Sequence, residues 1–353
     1  MITAKQQTTS TTGDVSDTVP LYFLGPQGSF THLAARRAVA ALAQYHIHVQ
    51  PQPVETAREI IEQVQTGHGL GIVAWDNTVE GVVVPNLDML MDAQCAGFLR
   101  LSVPITFDAF VTPHTAQLLG DIPLAQVAHT VHAHPHGLAQ CNAFIREHQL
   151  AAIASASNAA ACRDIQDGQV ALAPPICAEL YDVVPAYQSV QDYDGARTDF
   201  LVLAPRTTAI SSIARVREQG NSGGNTWESI VACAPLSTGP GVLANLLDTI
   251  RDAGLNMTSF MSRPIKGNAG TYSFIITMDA APWEHSCKAV LQGMIEHGDW
   301  VKTLAVYPRG ERPNPPVDAW MLPEGGVCSN PSQEGQQPQQ QGVEHIVQRA
   351  LLW

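Results

Sequence analysis

Basic residues are scarce in this chain: 19 Lys and Arg stand against 32 Asp and Glu, a net charge of −13 over 353 residues. Phosphate binding draws on a basic surface, so nucleic acid is excluded as the main partner. Charge of either sign is thin at 14%, yet the 45% apolar content excludes a disordered chain. The apolar runs are cut by Gly, Pro or charge well short of the ~18–20 residues a membrane span needs, so no membrane partner is expected. The opening MITAKQQTTSTTGDVSD lacks the apolar stretch of a secretory signal. Cysteine occurs at 95, 141, 162, 177, 233, 287 and 328 without a single CxxC pair. An odd, dispersed set of this kind predicts reduced thiols, a cytoplasmic location and no cysteine zinc site. Also missing are GxGxxG, the Walker loop, the GxSxG elbow and HExxH, so nucleotide binding and those hydrolytic chemistries have no support.

Length predicts two folded units with tails. Residues 1–19 are polar and aperiodic, and read as a disordered tail. In 20–206, strand-like VPLYFLG, LGIVAW, AAIASA and QVALAP alternate with helix-like THLAARRAVAALAQY, VETAREIIEQVQTG, LAQCNAFIREH and SNAAACRDIQDG. Such alternation predicts helices packed on a largely parallel sheet. The polar stretch 207–226, with GNSGGN inside it, has a linker composition. In 227–309 the expected order is strand, helix, strand, strand, helix, strand, the split βαβ arrangement of a ferredoxin-like domain. Its first helix is marked by Val242, Leu243, Leu246, Leu247 and Ile250 at the 3.6-residue period. The low-complexity segment 310–353 is rich in Pro and Gln and predicts disorder, its end VEHIVQRALLW being either frayed or a short amphipathic helix.

Three segments could carry chemistry. In GPQGSFTHLAA, Gly28, Ser29 and Thr31 lie between a strand and a helix, where free N–H groups could bind an anion or merely cap a turn. In VAWDNTVEG an apolar strand runs into Asp76, Asn77, Thr78 and Glu80. The carboxyl end of a buried strand is where open α/β sheets take ligands, and capping explains the same residues equally well. In DYDGARTDFLVLAP, Arg197, Thr198 and Asp199 open an apolar strand. Extended backbone sends Thr198 to one face and Arg197 and Asp199 to the other, where those two could form a surface pair. The run AHTVHAHPHG places His129, His132, His134 and His136 close in sequence. Pro135 disturbs their alternation and no carboxylate or cysteine lies nearby in sequence, so no metal site is expected.

Taken in order, these motifs resemble prephenate dehydratase followed by a regulatory ACT domain. LGPQGSFTHLAA is similar to the family's LGPxGSFSxxAA, VAWDNTVEG to VPIENSxEG, AHPHGLAQC to SHPQALAQC and GARTDFLVL to its TRF segment. SASNAAA lies where the family has a small-residue stretch, GPGVLANLL resembles the PGAL turn, and SFMSRP the ESRP strand. The departures are Asp76 for Glu, His136 for Gln, Asp199 for Arg and Met261 for Glu. The resemblance implies an α/β fold: a two-lobed, periplasmic-binding-protein-like catalytic unit followed by a ferredoxin-like βαββαβ ACT domain. It implies a lyase that turns prephenate into phenylpyruvate for phenylalanine synthesis, with no cofactor and no metal. Thr198, Asn77 and Thr78 become the catalytic candidates. Gly28, Ser29, Asp76, Gln140, Ser157 and Arg197 become substrate-binding candidates. Phenylalanine would act as effector on Pro240, Gly241, Val242, Leu243, Asn256, Ser262 and Arg263, in a homodimer or homotetramer. A prephenate decarboxylase, an arogenate dehydratase and a catalytically silent amino-acid-binding regulator are the alternatives.

Overall fold

The computed structural model describes residues 18–120, 122–219, 226–237, 239–268, 270–310 and 326. The tails expected at 1–19 and 310–353 lie outside them, apart from residues 18, 19, 310 and 326. The first lobe comprises β1 (Val19–Leu24), α1 (Phe30–Ala43), β2 (Val49–Val54), α2 (Ala57–Gln65), β3 (Leu70–Asn77), β4 (Gly81–Val82), α3 (Val84–Asp92) and β5 (Cys95–Pro104). The second comprises β6 (Asp108–Val111), α4 (Pro113–Leu118), α5 (Leu124–Val127), β7 (Thr130–Ala133), α6 (Pro135–Gln140), α7 (Asn142–Glu147), β8 (Ala151–Ala154), α8 (Asn158–Asp164), β9 (Gln169–Ala173), α9 (Cys177–Leu180) and β10 (Val184–Tyr187). The chain then returns to the first lobe as β11 (Arg197–Pro205) and α10 (Arg206–Gln219). The last part is β12 (Trp227–Ala234), α11 (Val242–Asp252), β13 (Met257–Pro264), β14 (Tyr272–Met278), α12 (His285–Glu296) and β15 (Trp300–Pro308).

The second lobe is built on the five-stranded sheet β10-β6-β9-β7-β8. The larger sheet runs β13-β14-β12-β15-β5-β11-β3-β1-β2. Its first four strands, in the order second, third, first, fourth, form the ferredoxin-like arrangement. They join the first lobe where Ala305 of β15 pairs with Gly97 of β5. A Cβ on Gly97 would lie 2.8 Å from Ala305 Cβ, so glycine is what lets these strands meet. Both sheets are mixed rather than largely parallel: β11 runs antiparallel to β3 and β5, and β6 antiparallel to β9 and β10.

β11 shows how the core positions the rest. Phe200, Val202 and Ala204 pack on the α1 side, while Leu201 and Leu203 pack among residues of α2, β12 and β15. The period of two comes directly from pleating, and each of the larger side chains stabilises the sheet by roughly 1.5–3 kcal/mol. Local signals fix the helices: Ser29 caps α1 through His32 N–H, and Thr56 caps α2 through Glu59 N–H. The stretch expected to be a linker over 207–226 is helical as far as Gln219. Ala209, Ser212 and Val216 are its buried positions, a helical spacing hidden among polar residues. The helix expected over LAQCNAFIREH is broken at Cys141, whose φ of −126° and ψ of 30° lie outside the helical region.

Candidate active site

A cavity of about 510 Å³ opens between the lobes. Asn77, Glu80, Thr198 and Phe200 line it from the first lobe, and Phe107, His134, His136, Gln140 and Asn158 from the second. Thr198 is 7% exposed and sits at the start of β11, opposite Asn77 at the end of β3. The Asn77 amide donates from Nδ2 to Thr198 Oγ1 at 2.8 Å. Its orientation is set by the following turn, since Val79 N–H and Glu80 N–H both donate to Asn77 Oδ1, at 2.8 and 3.0 Å. With the Asn77 bond accepted, the single Thr198 O–H proton remains free to donate.

Gln140 enters from α6 and is 6% exposed. Its Nε2 donates to Glu80 Oε1 at 3.3 Å. A carboxylate only accepts, so the amide nitrogen must face Glu80 and the amide oxygen the other way. That oxygen, Gln140 Oε1, is buried and has no hydrogen-bond partner among the described residues. His136 Nδ1 lies 3.2 Å from Glu80 Oε2, and the His134 and His136 rings meet edge to face at 4.9 Å. Burial holds the His134 imidazole below its ordinary range, with His136 adding to the effect and Glu80 opposing it. A neutral ring agrees with its bonding, because His134 Nδ1 accepts from His136 N–H at 3.3 Å.

A second recess, of similar volume, shares Phe30, Thr31, His134 and Asn158 with the first and continues to Ser29, Ser157 and Arg163. Ser29 and Ser157 both spend their hydroxyl oxygens on helix N-termini, accepting from His32 N–H and Ala160 N–H. An apolar cavity of about 530 Å³ between α10 and β15 is lined by Ile210, Ile213, Trp283 and Val306, and offers no comparable set of convergent neutral polar groups.

Four expected substrate-binding or catalytic residues have other occupations. Gly28 is buried with φ at 90°, and its N–H donates to His32 Nδ1 at 3.1 Å rather than toward a ligand. Thr78 spends its hydroxyl on the strand partner, accepting from Arg197 N–H at 3.0 Å. Arg197 therefore serves through its backbone, and neither residue is among those lining the cavity. Asp76 turns away by alternation, being the neighbour of cavity-facing Asn77, and a bulge follows it: Asp199 pairs with Asp76 but Phe200 pairs with Ala74, leaving Trp75 as the extra residue. Burial raises the Asp76 carboxyl above the usual range, while Arg100 pulls it down and Asp199 pushes it up.

Asp199 does not pair with Arg197. Its carboxylate takes two hydrogen bonds from Arg100 of β5, one of them from Nε at 3.1 Å. Arg100 also donates to the Tyr307 hydroxyl at 3.0 Å and lies 3.8 Å from Glu228 Oε1, both in the ferredoxin-like part. Strand alternation thus puts the negative charge behind the sheet and Thr198 in front of it. Sequence reasoning missed Arg100, 99 positions from its partner, and gave no role to Glu80, His136 or Asn158.

The residues expected to hold the effector are only partly free. Gly241, with φ at 90°, caps the N-terminus of α11, beside exposed Pro240 and Leu243. Asn256 donates to Asp279 Oδ2 at 2.6 Å, and Arg263 pairs with Asp88 of α3 at 2.9 Å. Ser262 is exposed on the edge strand β13. Among the described residues no group of His, Cys, Asp and Glu is arranged to hold a metal ion, and no helix is long and apolar enough to cross a membrane.

Residues 21–208 match the family model described as prephenate dehydratase. A prephenate dehydratase of Amycolatopsis methanolica is 30% identical over 263 residues, covering 73% of this chain and 78% of that protein. The bifunctional chorismate mutase/prephenate dehydratase of Aquifex aeolicus is 28% identical over 296 residues, covering 82% and 74%. The fold is shared with the prephenate dehydratase of Arthrobacter aurescens solved in complex with L-Phe, at a TM-score of 0.67 and 23% identity, over 86% of this chain and 94% of that one. It is shared as well with the enzyme from Staphylococcus aureus, at a TM-score of 0.65 and 22% identity, over 82% of this chain and 100% of that one. With its two lobes, its inter-lobe cavity and more than half its length matched, the chain belongs to the prephenate dehydratase family.

Proposed function

We propose that this protein is a lyase that converts prephenate to phenylpyruvate, carbon dioxide and water. The observation that carries the reading is the Asn77–Thr198 hydrogen bond inside the inter-lobe cavity, which Gln140 also lines. In the reaction the ring carboxylate leaves as carbon dioxide, its bonding electrons enter the ring, and the C–O bond to the ring hydroxyl breaks. The departing oxygen needs a proton or a strong hydrogen bond as its charge develops. Thr198 O–H supplies a neutral donor there, fixed in place by Asn77. Phe30, Ile105, Phe107 and Phe200 wall the cavity and keep water from the ring. Aromatisation drives the step, so the residues need only bind, orient and donate.

Asp199 stands where the family has Arg, and its charge is spent on Arg100 behind the sheet. The substrate carboxylates therefore do not meet it. Ser157 and Asn158 line the adjoining recess and offer neutral groups for the side-chain carboxylate, with Arg163 at its rim. Purified protein incubated with prephenate should yield phenylpyruvate, read as its ultraviolet-absorbing enol in alkali. Faster turnover of arogenate, or release of carbon dioxide without an aromatic product, would contradict the reading.

The ferredoxin-like part is proposed as an ACT-type sensor of phenylalanine. A related structure contains L-Phe, and Gly241, Val242 and Leu243 present backbone N–H groups at the start of α11. Met261, where the family has Glu, packs against the core instead of carrying charge. Calorimetric titration with phenylalanine should give binding, and no heat at millimolar ligand would exclude control through this domain. Assembly as a homodimer or homotetramer and a cytoplasmic location complete the proposal, the latter supported by six buried free cysteines.

A further inference from the structure

Gly137 lies inside α6 without a positive φ, where alanine is the better helix former. Close approach accounts for the glycine: a Cβ there would stand 2.7 Å from Asn158 Oδ1 and 3.1 Å from Phe107 Cε1. The family's SHPQALAQC has Ala at this place, and Asn158 falls in the segment where the family has a small-residue stretch. The methyl missing at 137 is the room that the amide at 158 needs. Both residues line the inter-lobe cavity, and Asn158 also lines the adjoining recess, so it stands at the passage between them. Its Oδ1 accepts from His134 N–H at 2.8 Å. A backbone N–H can only donate, so the amide is not free to turn over, and Nδ2 is the end left for a ligand. Gln140 Oε1 and Asp279 Oδ1 are the sealed side-chain atoms without a partner among the described residues. Asn158 Nδ2, which makes no hydrogen bond among the described residues either, is therefore open to solvent, on a half-buried side chain that fronts both spaces.

We propose that Asn158, admitted by Gly137 and locked by His134, is a specificity-determining residue that selects a 2-oxo acid side chain over its 2-amino counterpart. The proposal rests on the dehydratase reading. The side chain of prephenate ends in a keto oxygen and a carboxylate, which only accept. Arogenate carries an ammonium in place of the keto oxygen, and an ammonium only donates. A fixed amide NH2 completes the first and opposes the second. The two charged residues lining the recess, Glu55 and Arg163, are exposed and opposite in sign, and water screens them. The choice therefore falls to the half-buried amide.

The test is Asn158→Asp, which keeps the size and can still accept from His134 N–H, so the thermal melting curve should be unchanged. It replaces the outward donor by a carboxylate oxygen. The proposal predicts that kcat/KM for prephenate falls ~100-fold, chiefly through KM, while that for arogenate falls less than about threefold or rises. The prephenate-to-arogenate ratio then drops by at least ~30-fold. Asn158→Ala, which only removes the donor, should lower the ratio ~10-fold and serves as the test if the acid does not fold. Gly137→Ala should shift the ratio in the same direction by pushing Oδ1 off His134, and should add nothing to Asn158→Ala. A merely structural Asn158 would lower both substrates equally. With prephenate turned over by the unaltered protein, a ratio within about twofold of its value in the folded Asp or Ala variant would overturn this proposal and leave the dehydratase reading standing. An unaltered protein that forms no phenylpyruvate, or that turns over arogenate faster, would overturn both.

Discussion

Replacing Asp199 by asparagine should weaken the fold far more than the chemistry. The Asp199 and Arg100 side chains are each 12% exposed, and two hydrogen bonds join them. Removing one partner of a buried ion pair typically costs ~3–5 kcal/mol, because the other charge is left stranded. Here Arg100 keeps the Tyr307 hydroxyl at 3.0 Å and Glu228 at 3.8 Å, and asparagine can still accept one bond. The expected loss is therefore about 2–3 kcal/mol. Asp199→Arg, which restores the family's residue, should be worse, since it sets a second guanidinium against Arg100 with one acid fewer between them. Urea denaturation measures the loss, and turnover of prephenate measures the chemistry. The asparagine variant should keep kcat within about threefold, well under the tenfold that ~1.4 kcal/mol of transition-state stabilisation represents. A hundredfold loss of kcat at an unchanged denaturation midpoint would refute the placement of this carboxylate behind the sheet.

Two further outcomes follow from the packing. Burial raises the Asp76 carboxyl, so its contribution to stability is fully present below the unfolded value, ~3.9, and is lost as pH rises through the folded one. Asp76→Asn should therefore be more stable than the unaltered protein at pH 7, and the gap should shrink toward pH 4 in paired denaturation curves. Gly97→Ala brings a Cβ to 2.8 Å from Ala305 Cβ, and overpacking of this kind costs ~1–3 kcal/mol. Limited proteolysis should then cut between the ferredoxin-like part and the first lobe sooner than in the unaltered protein.

Much of this was legible in the chain itself. The apolar run LGIVAW leading into Asp76 and Asn77 predicts a buried strand with polar groups at its mouth, and β3 has that form. Alternation along Arg197–Asp199 separates Thr198 from its neighbours, and the structure places them on opposite faces. The ferredoxin-like order could be read because its helices have clean apolar stripes, with Leu246 and Ile250 buried on α11. What escaped was set by long-range contact. Arg197 was the nearest cation to Asp199 in sequence, but β5 lies beside β11 and delivers Arg100 instead. α10 hid because Ala209, Ser212 and Val216 are weak markers among Thr, Ser and Arg. β2, with sequence VQPQPV, escaped because Pro is tolerated only where a strand lies at a sheet edge, and sequence does not announce an edge. The bulge at Trp75, which brings Ala74 rather than Trp75 back to the cavity face, has no local signature at all.

The hydroxyl of Thr198 carries the whole account, and substitution there tests it most directly. Thr198→Ala removes the donor that Asn77 holds toward the cavity. Thr198→Ser keeps it. Initial rates of phenylpyruvate formation should fall ~10²–10³-fold in the alanine variant, as for loss of one preorganised donor to a developing oxyanion. The serine variant should stay within about tenfold of the unaltered protein, a barrier change of ~1.4 kcal/mol. Alanine at 198 turning over prephenate as fast as the unaltered protein, with its melting curve intact, would contradict the account.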